Sequence, residues 1–90
     1  MNKARRKILQ AAIDGLQAAL QEIETAMETI TDALNEEQEC FDNLPESLQT
    51  ADKGAAMEEA ISNLEDAVGQ CDAALEALGP GIEAVEAAMA

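Results

Sequence analysis

The sequence has no histidine, tryptophan or tyrosine, and its 90 residues include one phenylalanine and two cysteines. Histidine is the side chain that most often transfers protons near neutral pH, and it is a common ligand of zinc and other transition metals. The chain also has no nucleophile beside a base and no glycine-rich loop of the kind that holds phosphate. The sequence therefore favours a protein that is not an enzyme and that binds no cofactor.

Basic residues are scarce as well, since 5 Lys and Arg stand against 19 Asp and Glu, which gives a formal net charge of -14. Because nucleic acids are polyanions, this charge argues against direct binding to DNA or RNA. No apolar run reaches the ~18 residues that a membrane span needs, and the first residues do not form a signal-peptide pattern. We expect one small domain over residues 1–90, located in the cytoplasm.

Large apolar residues recur at alternating spacings of four and three, which is the a and d pattern of a heptad repeat. We call this set of residues the seam. In the first half of the chain it comprises Leu9, Ile13, Leu16, Leu20, Ile23, Met27, Ile30, Leu34 and Phe41. In the second half it comprises Met57, Ile61, Leu64, Val68, Cys71, Leu75, Leu78, Ile82 and Val85, and the pattern continues to Met89.

Helix-breaking residues separate the two halves of the chain. Asn43 and Pro45 are expected to end the first helix, because the residue before a proline disfavours the α conformation, and Thr50 is a candidate N-cap for the second helix. We predict a helix over about 3–42, a turn over about 43–50 and a helix over about 51–90. Two helices of matched length with a short connection favour an all-α fold, a long antiparallel helical hairpin of coiled-coil type.

Gly79, Pro80 and Gly81 interrupt the second helix chemically, although the seam keeps its spacing from Leu78 to Ile82. Proline lacks an amide hydrogen, and its ring clashes with the carbonyl four residues earlier. A kinked continuation and a separate last helix that begins at Pro80 are both compatible with the sequence.

Small residues occupy the position before each a residue in both halves, and they widen the apolar stripe beyond what one hairpin covers. They are Ala12, Ala19, Ala26, Ala33, Ala60, Ala67, Ala74, Gly81 and Ala88. We therefore predict a homodimer in which two hairpins form a four-helix bundle.

Three further residues have polar or reactive side chains near the seam. Folding about residues 46 and 47 would place Cys40 and Cys71 about 27 Å apart, beyond the ~7 Å limit for a disulfide, so separate thiols are expected. Glu37 places a charge on the seam. It is either half-exposed within reach of Lys53 or a residue that sets the register of the helices.

Carboxylates in the second half form a candidate partner-binding surface, which we call the acidic surface: Glu58, Glu59, Glu65, Asp66, Asp72 and Glu76. The histidines of a di-iron bundle and the spacing of a calcium loop are both missing, so no metal site is predicted. The acidic surface either binds a basic partner or is a solvated helix face.

Four of the five basic residues form what we call the basic tip: Lys3, Arg5, Arg6 and Lys7. The tip either contacts phosphate or another anionic partner, or its residues Arg5, Arg6 and Lys7 pair with Glu83 and Glu86, which an antiparallel hairpin brings alongside. The remaining residues, 8–90, carry one Lys and all 19 acids, so the two signs of charge are separated along the chain.

The segment EEQECFDNLPESLQ, residues 36–49, and the opening NKARRK, residues 2–7, resemble a group of small acidic coiled-coil proteins. That group, itself uncharacterised, occurs in Gram-positive gut bacteria and in their phages and mobile elements. The resemblance implies an accessory protein of a mobile element and no particular activity.

These observations favour a non-enzymatic, acidic helical module that binds a protein partner. One version is a DNA mimic that inhibits a DNA-binding protein or a host defence, as anti-CRISPR proteins do, because a dimer would carry 38 carboxylates on a rod of about 60 Å. One alternative is a nucleic-acid accessory protein that uses the basic tip. Another is a purely structural coiled coil.

Overall fold

A computed structural model describes all 90 residues, and helices are its only regular secondary structure. The elements are α1 (Lys3–Asp42), the short α2 (Glu46–Gln49) and α3 (Asp52–Met89). The molecule measures 68 × 15 × 14 Å between its Cα atoms, so it is an extended rod. The prediction of an all-α, elongated fold is therefore confirmed.

Helix α1 has an N-cap side chain but no basic residue in its last turn. The Asn2 side-chain oxygen accepts a hydrogen bond from the Arg5 backbone N–H at 2.8 Å, which satisfies one of the free amides of the first turn. The helix ends at Asp42, two residues before Leu44, the residue that precedes Pro45. Its end therefore falls where the restriction before a proline places it.

The connection between α1 and α3 is more ordered than the expected turn, because residues 46–49 form α2. The Gln49 side-chain amide donates to the backbone carbonyls of Phe41 at 3.1 Å and Leu44 at 3.2 Å. The bond to Leu44 satisfies a carbonyl just beyond the end of α1, whereas the Phe41 carbonyl also accepts the Leu44 backbone N–H. Gln49 thus ties α2 to the last turn of α1.

The predicted N-cap of the second helix is wrong. The N-cap of α3 is Ala51, which makes no side-chain cap bond, and Thr50 is instead the C-cap residue of α2. The Thr50 hydroxyl donates back to the carbonyls of Glu46 and Ser47, both at 3.4 Å. Its hydroxyl bonds to the helix that precedes it because these two carbonyls lie within reach, and the Glu46 carbonyl also accepts the Thr50 backbone N–H.

Gly54, in the first turn of α3, is buried against the end of α2. A Cβ atom built on Gly54 would overlap the backbone carbonyl groups of Gln49 and Leu48. The lack of a side chain at this position therefore lets α3 begin directly against α2.

Helix α3 continues through Pro80 to Met89, so no separate helix begins at the proline. Gly79 is half-buried, whereas Pro80 and Gly81 are exposed. Pro80 removes one backbone donor from the helix, and its ring faces solvent.

Helices α1 and α3 contact one another along the rod. The Arg6 Nε donates to the Met89 carbonyl at 3.0 Å, so the beginning of α1 lies beside the end of α3. At the other end, the bonds from Gln49 to Phe41 and Leu44 hold the end of α1 close to α2, which contacts α3.

Candidate interaction surfaces

The seam lies between α1 and α3, and every seam residue is buried or half-buried. Only Ile13, Ile61 and Ile82 are fully buried, at 2%, 6% and 6% exposure. The other seam residues each keep part of their side chain in contact with solvent. The contact between the two helices therefore covers the centre of the apolar stripe and leaves its margins uncovered.

The small residues that flank the seam divide into two groups. Ala19, Ala60, Ala67 and Ala74 are half-buried, whereas the remaining ones are exposed: Ala12, Ala26, Ala33, Gly81 and Ala88. Within one chain, the small flanking positions are thus covered only in part.

All six residues of the acidic surface are exposed on α3, and none takes part in a side-chain hydrogen bond within the chain. Four of them form two adjacent pairs seven residues apart, Glu58 with Glu59 and Glu65 with Asp66, and Asp72 and Glu76 follow, so the set extends over roughly five turns of the helix. The structure leaves their carboxylates free for solvent or for a partner.

A second group of carboxylates, which the sequence reading did not single out, borders a groove between α1 and α3. The groove is an open cavity of about 360 Å³ that is lined by Glu24, Met27, Glu28, Thr31, Asp32 and Leu75. We call it the acidic groove. Its apolar floor consists of the seam residues Met27 and Leu75, which come from different helices.

The acidic groove could have been found from the heptad positions. Glu24 and Thr31 occupy e positions next to the seam, whereas the g positions on the other side of the seam are alanines. One flank of the seam is therefore polar and the other apolar, a difference visible in the sequence once both flanks are compared.

The basic tip is exposed at all four residues. Arg6 contacts this end of α3 through its Nε, which donates to the Met89 backbone carbonyl. A positive charge is favourable there, since the last turn of α3 has no basic residue of its own and the C-terminal end of a helix is the negative end of its dipole.

Two apolar side chains next to the basic tip are exposed and were not predicted. Ile8 is 69% exposed and Met1 is 48% exposed, the two highest values among the large hydrophobic residues. Ile8 lies one residue before the seam begins at Leu9, on the outward side of α1. The tip is therefore basic and partly apolar.

The two cysteines are free thiols, Cys40 exposed and Cys71 half-buried on the seam. Glu37 is half-buried and Lys53 is exposed. Leu44 is half-buried over the end of the rod, but Leu48 is 42% exposed.

No group of three or more Cys, Asp or Glu residues is placed to hold a metal ion. No helix combines the length and the apolar character needed to cross a membrane. When the chain is compared with family models, curated proteins and solved structures, none of them matches it.

Proposed function

We propose that this chain is a non-enzymatic interaction protein that acts as a homodimer of antiparallel helical hairpins and presents its carboxylates to a basic protein partner. The observation that carries the proposal is the incomplete cover of the seam. Three buried apolar side chains in 90 residues are few for a fold that has no disulfide to stabilise it.

The accessible area supports a second copy as the missing cover. The chain exposes 6310 Å², whereas a compact protein of this mass exposes about 5,000 Å². The difference, about 1,300 Å², is larger than the ~800 Å² that each partner buries in a stable complex of standard size, so the chain has enough excess surface for such an interface. A second hairpin of the same length would cover the margins of the seam along the rod and complete a four-helix bundle.

The density of carboxylates supports a basic partner. A side-by-side dimer would carry 38 carboxylates along 68 Å, about one per 1.8 Å, and duplex DNA carries one charge per ~1.7 Å. The acidic surface and the acidic groove together hold nine of these carboxylates on each chain. We infer that the rod competes with DNA for a basic groove, as an inhibitor of a DNA-binding or host-defence protein of the phage or mobile-element type would.

The dimer is tested first, by sedimentation velocity from about 1 to 100 μM. A sedimentation coefficient that rises to the dimer value supports the proposal, and a monomer throughout the range contradicts it.

The partner class is tested by competition. A histone-like basic protein is bound to labelled duplex DNA at moderate salt, and the chain is expected to displace the DNA. Glu24→Gln, Glu28→Gln and Asp32→Asn remove three charges from the acidic groove and should weaken this displacement about tenfold. A matched control removes the same number of charges at the exposed Asp14, Glu22 and Glu86. Failure to displace DNA even at low salt would refute mimicry.

A second candidate function uses the basic tip, because all four of its residues are exposed. In this case the chain is a nucleic-acid accessory protein whose tip binds phosphate. The test replaces Lys3, Arg5 and Lys7 by Ala and retains Arg6, so that its hydrogen bond to Met89 is preserved. Under this hypothesis the variant no longer binds DNA, whereas its ability to displace DNA from a basic protein is unchanged or improved. If the chain is instead a purely structural coiled coil, it should neither displace DNA from a basic protein nor bind DNA itself.

A further inference from the structure

The two ends of the rod carry opposite charge. The basic tip lies at the end where Arg6 contacts Met89, and its four side chains are exposed. Two carboxylates, Glu83 and Glu86, belong to the last turns of α3 on this end. Four positive charges against two negative ones leave this end basic.

The opposite end is acidic. The last turns of α1 and the start of α2 hold five carboxylates, which we call the turn-end acids: Glu36, Glu37, Glu39, Asp42 and Glu46. Four of them are exposed, and Glu37 is half-buried. Asp52 and Lys53 at the start of α3 offset each other, so the turn-end acids remain uncompensated within the chain.

The half-exposed seam extends along the rod, so a second copy of equal length can cover it in two ways. If both copies point in the same direction, the basic tips lie side by side and so do the turn-end acids. If the copies point in opposite directions, each basic tip lies beside the turn-end acids of the other copy. Both arrangements have closed two-fold symmetry, so symmetry alone does not select between them.

We propose that the second copy packs in the opposite direction, so that the basic tip of each chain lies beside the turn-end acids of the other. This inference rests on the dimer proposed above and adds its orientation. Exposed charges interact over about 10 Å at ordinary ionic strength, so the groups directly opposite one another decide the orientation, rather than the net charge of -14.

The orientation is measured with a spin label on Cys40, which is exposed near the turn end, in a Cys71→Ala background. Cys40 lies about 26 Å from the midpoint of α1 at ~1.5 Å per residue. Opposite packing therefore places the two labels about 50 Å apart, whereas packing in the same direction places them within about 30 Å. Pulsed electron–electron double resonance distinguishes these two distances.

A charge exchange tests the cause of the orientation. Glu36→Lys, Glu39→Lys and Glu46→Lys together change the net charge from -14 to about -8, which reduces overall repulsion between copies. Opposite packing nevertheless predicts a roughly tenfold weaker dimer, because the turn end then carries a net positive charge and faces the basic tip. Adding Lys3→Glu and Lys7→Glu to the same chain makes the tip end negative, so the two ends again have opposite charge and the dissociation constant should return to within threefold of wild type.

A label distance of about 50 Å, with weakening by the first variant and recovery in the second, is the expected result. A dimer with labels within about 30 Å overturns the orientation and leaves the dimer standing. A dimer strengthened by Glu36→Lys, Glu39→Lys and Glu46→Lys overturns the role of the charged ends. A monomer in sedimentation refutes the proposed dimer itself, and the orientation with it.

Discussion

Gly54→Ala is expected to destabilise the protein although alanine is the better helix former. The new methyl group would overlap the backbone carbonyls of Gln49 and Leu48, and neither can rotate away as a flexible side chain could. Overpacking of a tight site costs about 1–3 kcal/mol, and backbone neighbours place this site at the upper end of that range. The gain in helix propensity offsets about 1 kcal/mol, so we expect a net loss of about 2 kcal/mol.

Gly15→Ala and Gly69→Ala are matched controls. Both glycines are exposed within helices, and a Cβ on either meets nothing within 4 Å. Each control should therefore gain up to about 1 kcal/mol, which separates it from the Gly54 variant by about 3 kcal/mol. Urea unfolding followed by circular dichroism at 222 nm, at one protein concentration, measures the difference.

The refuting result is specific. If Gly54→Ala unfolds at a urea midpoint equal to or above that of wild type, α3 does not begin against the carbonyls of α2. A loss shared by all three variants would instead indicate a general intolerance of alanine and would also contradict the reasoning.

Two further substitutions test the connection and the proline. Gln49→Ala removes two hydrogen bonds, to the Phe41 and Leu44 carbonyls, and should lower the free energy of unfolding by about 1–2 kcal/mol in the same urea titration; an unchanged midpoint would show that these bonds contribute nothing. Pro80→Ala restores a backbone donor inside α3 and should raise stability by about 2–3 kcal/mol; no gain would contradict a helix that continues through residue 80.

The periodicity of the sequence was sufficient to predict the helices and the side of each helix that faces the other. Residues such as Ile13 and Ile61 recur at heptad spacing, and a spacing of this kind has one structural interpretation when it continues for 30 residues or more. The helix end near Pro45 was also predictable, because proline restricts its neighbour wherever it stands.

The connection was not predictable in the same way. Threonine is a residue type that often serves as an N-cap. The Thr50 hydroxyl nevertheless donates to carbonyls of the preceding helix α2, because these lie within its reach. Gly54 resembles any helical glycine in the sequence, and its role depends on how closely two helix ends approach. Such features depend on distances between segments, which local spacing does not encode.

The candidate surfaces were predictable in part. The charges of the basic tip and the acidic surface are visible in the sequence, and exposure of those side chains follows from their positions off the seam. The acidic groove needs Met27 and Leu75 to come together from different helices. The bond from Arg6 goes to a backbone carbonyl, which has no sequence signature.

The contact between Arg6 and Met89 has a mechanical consequence. Because both chain ends lie at the same end of the rod, a pull on the two termini would separate α1 from α3 one turn at a time, starting at that contact. A rod loaded in this unzipping geometry should yield at a low and nearly constant force. The same rod pulled between residue 45 and a terminus would be sheared along the seam and should resist a much higher load.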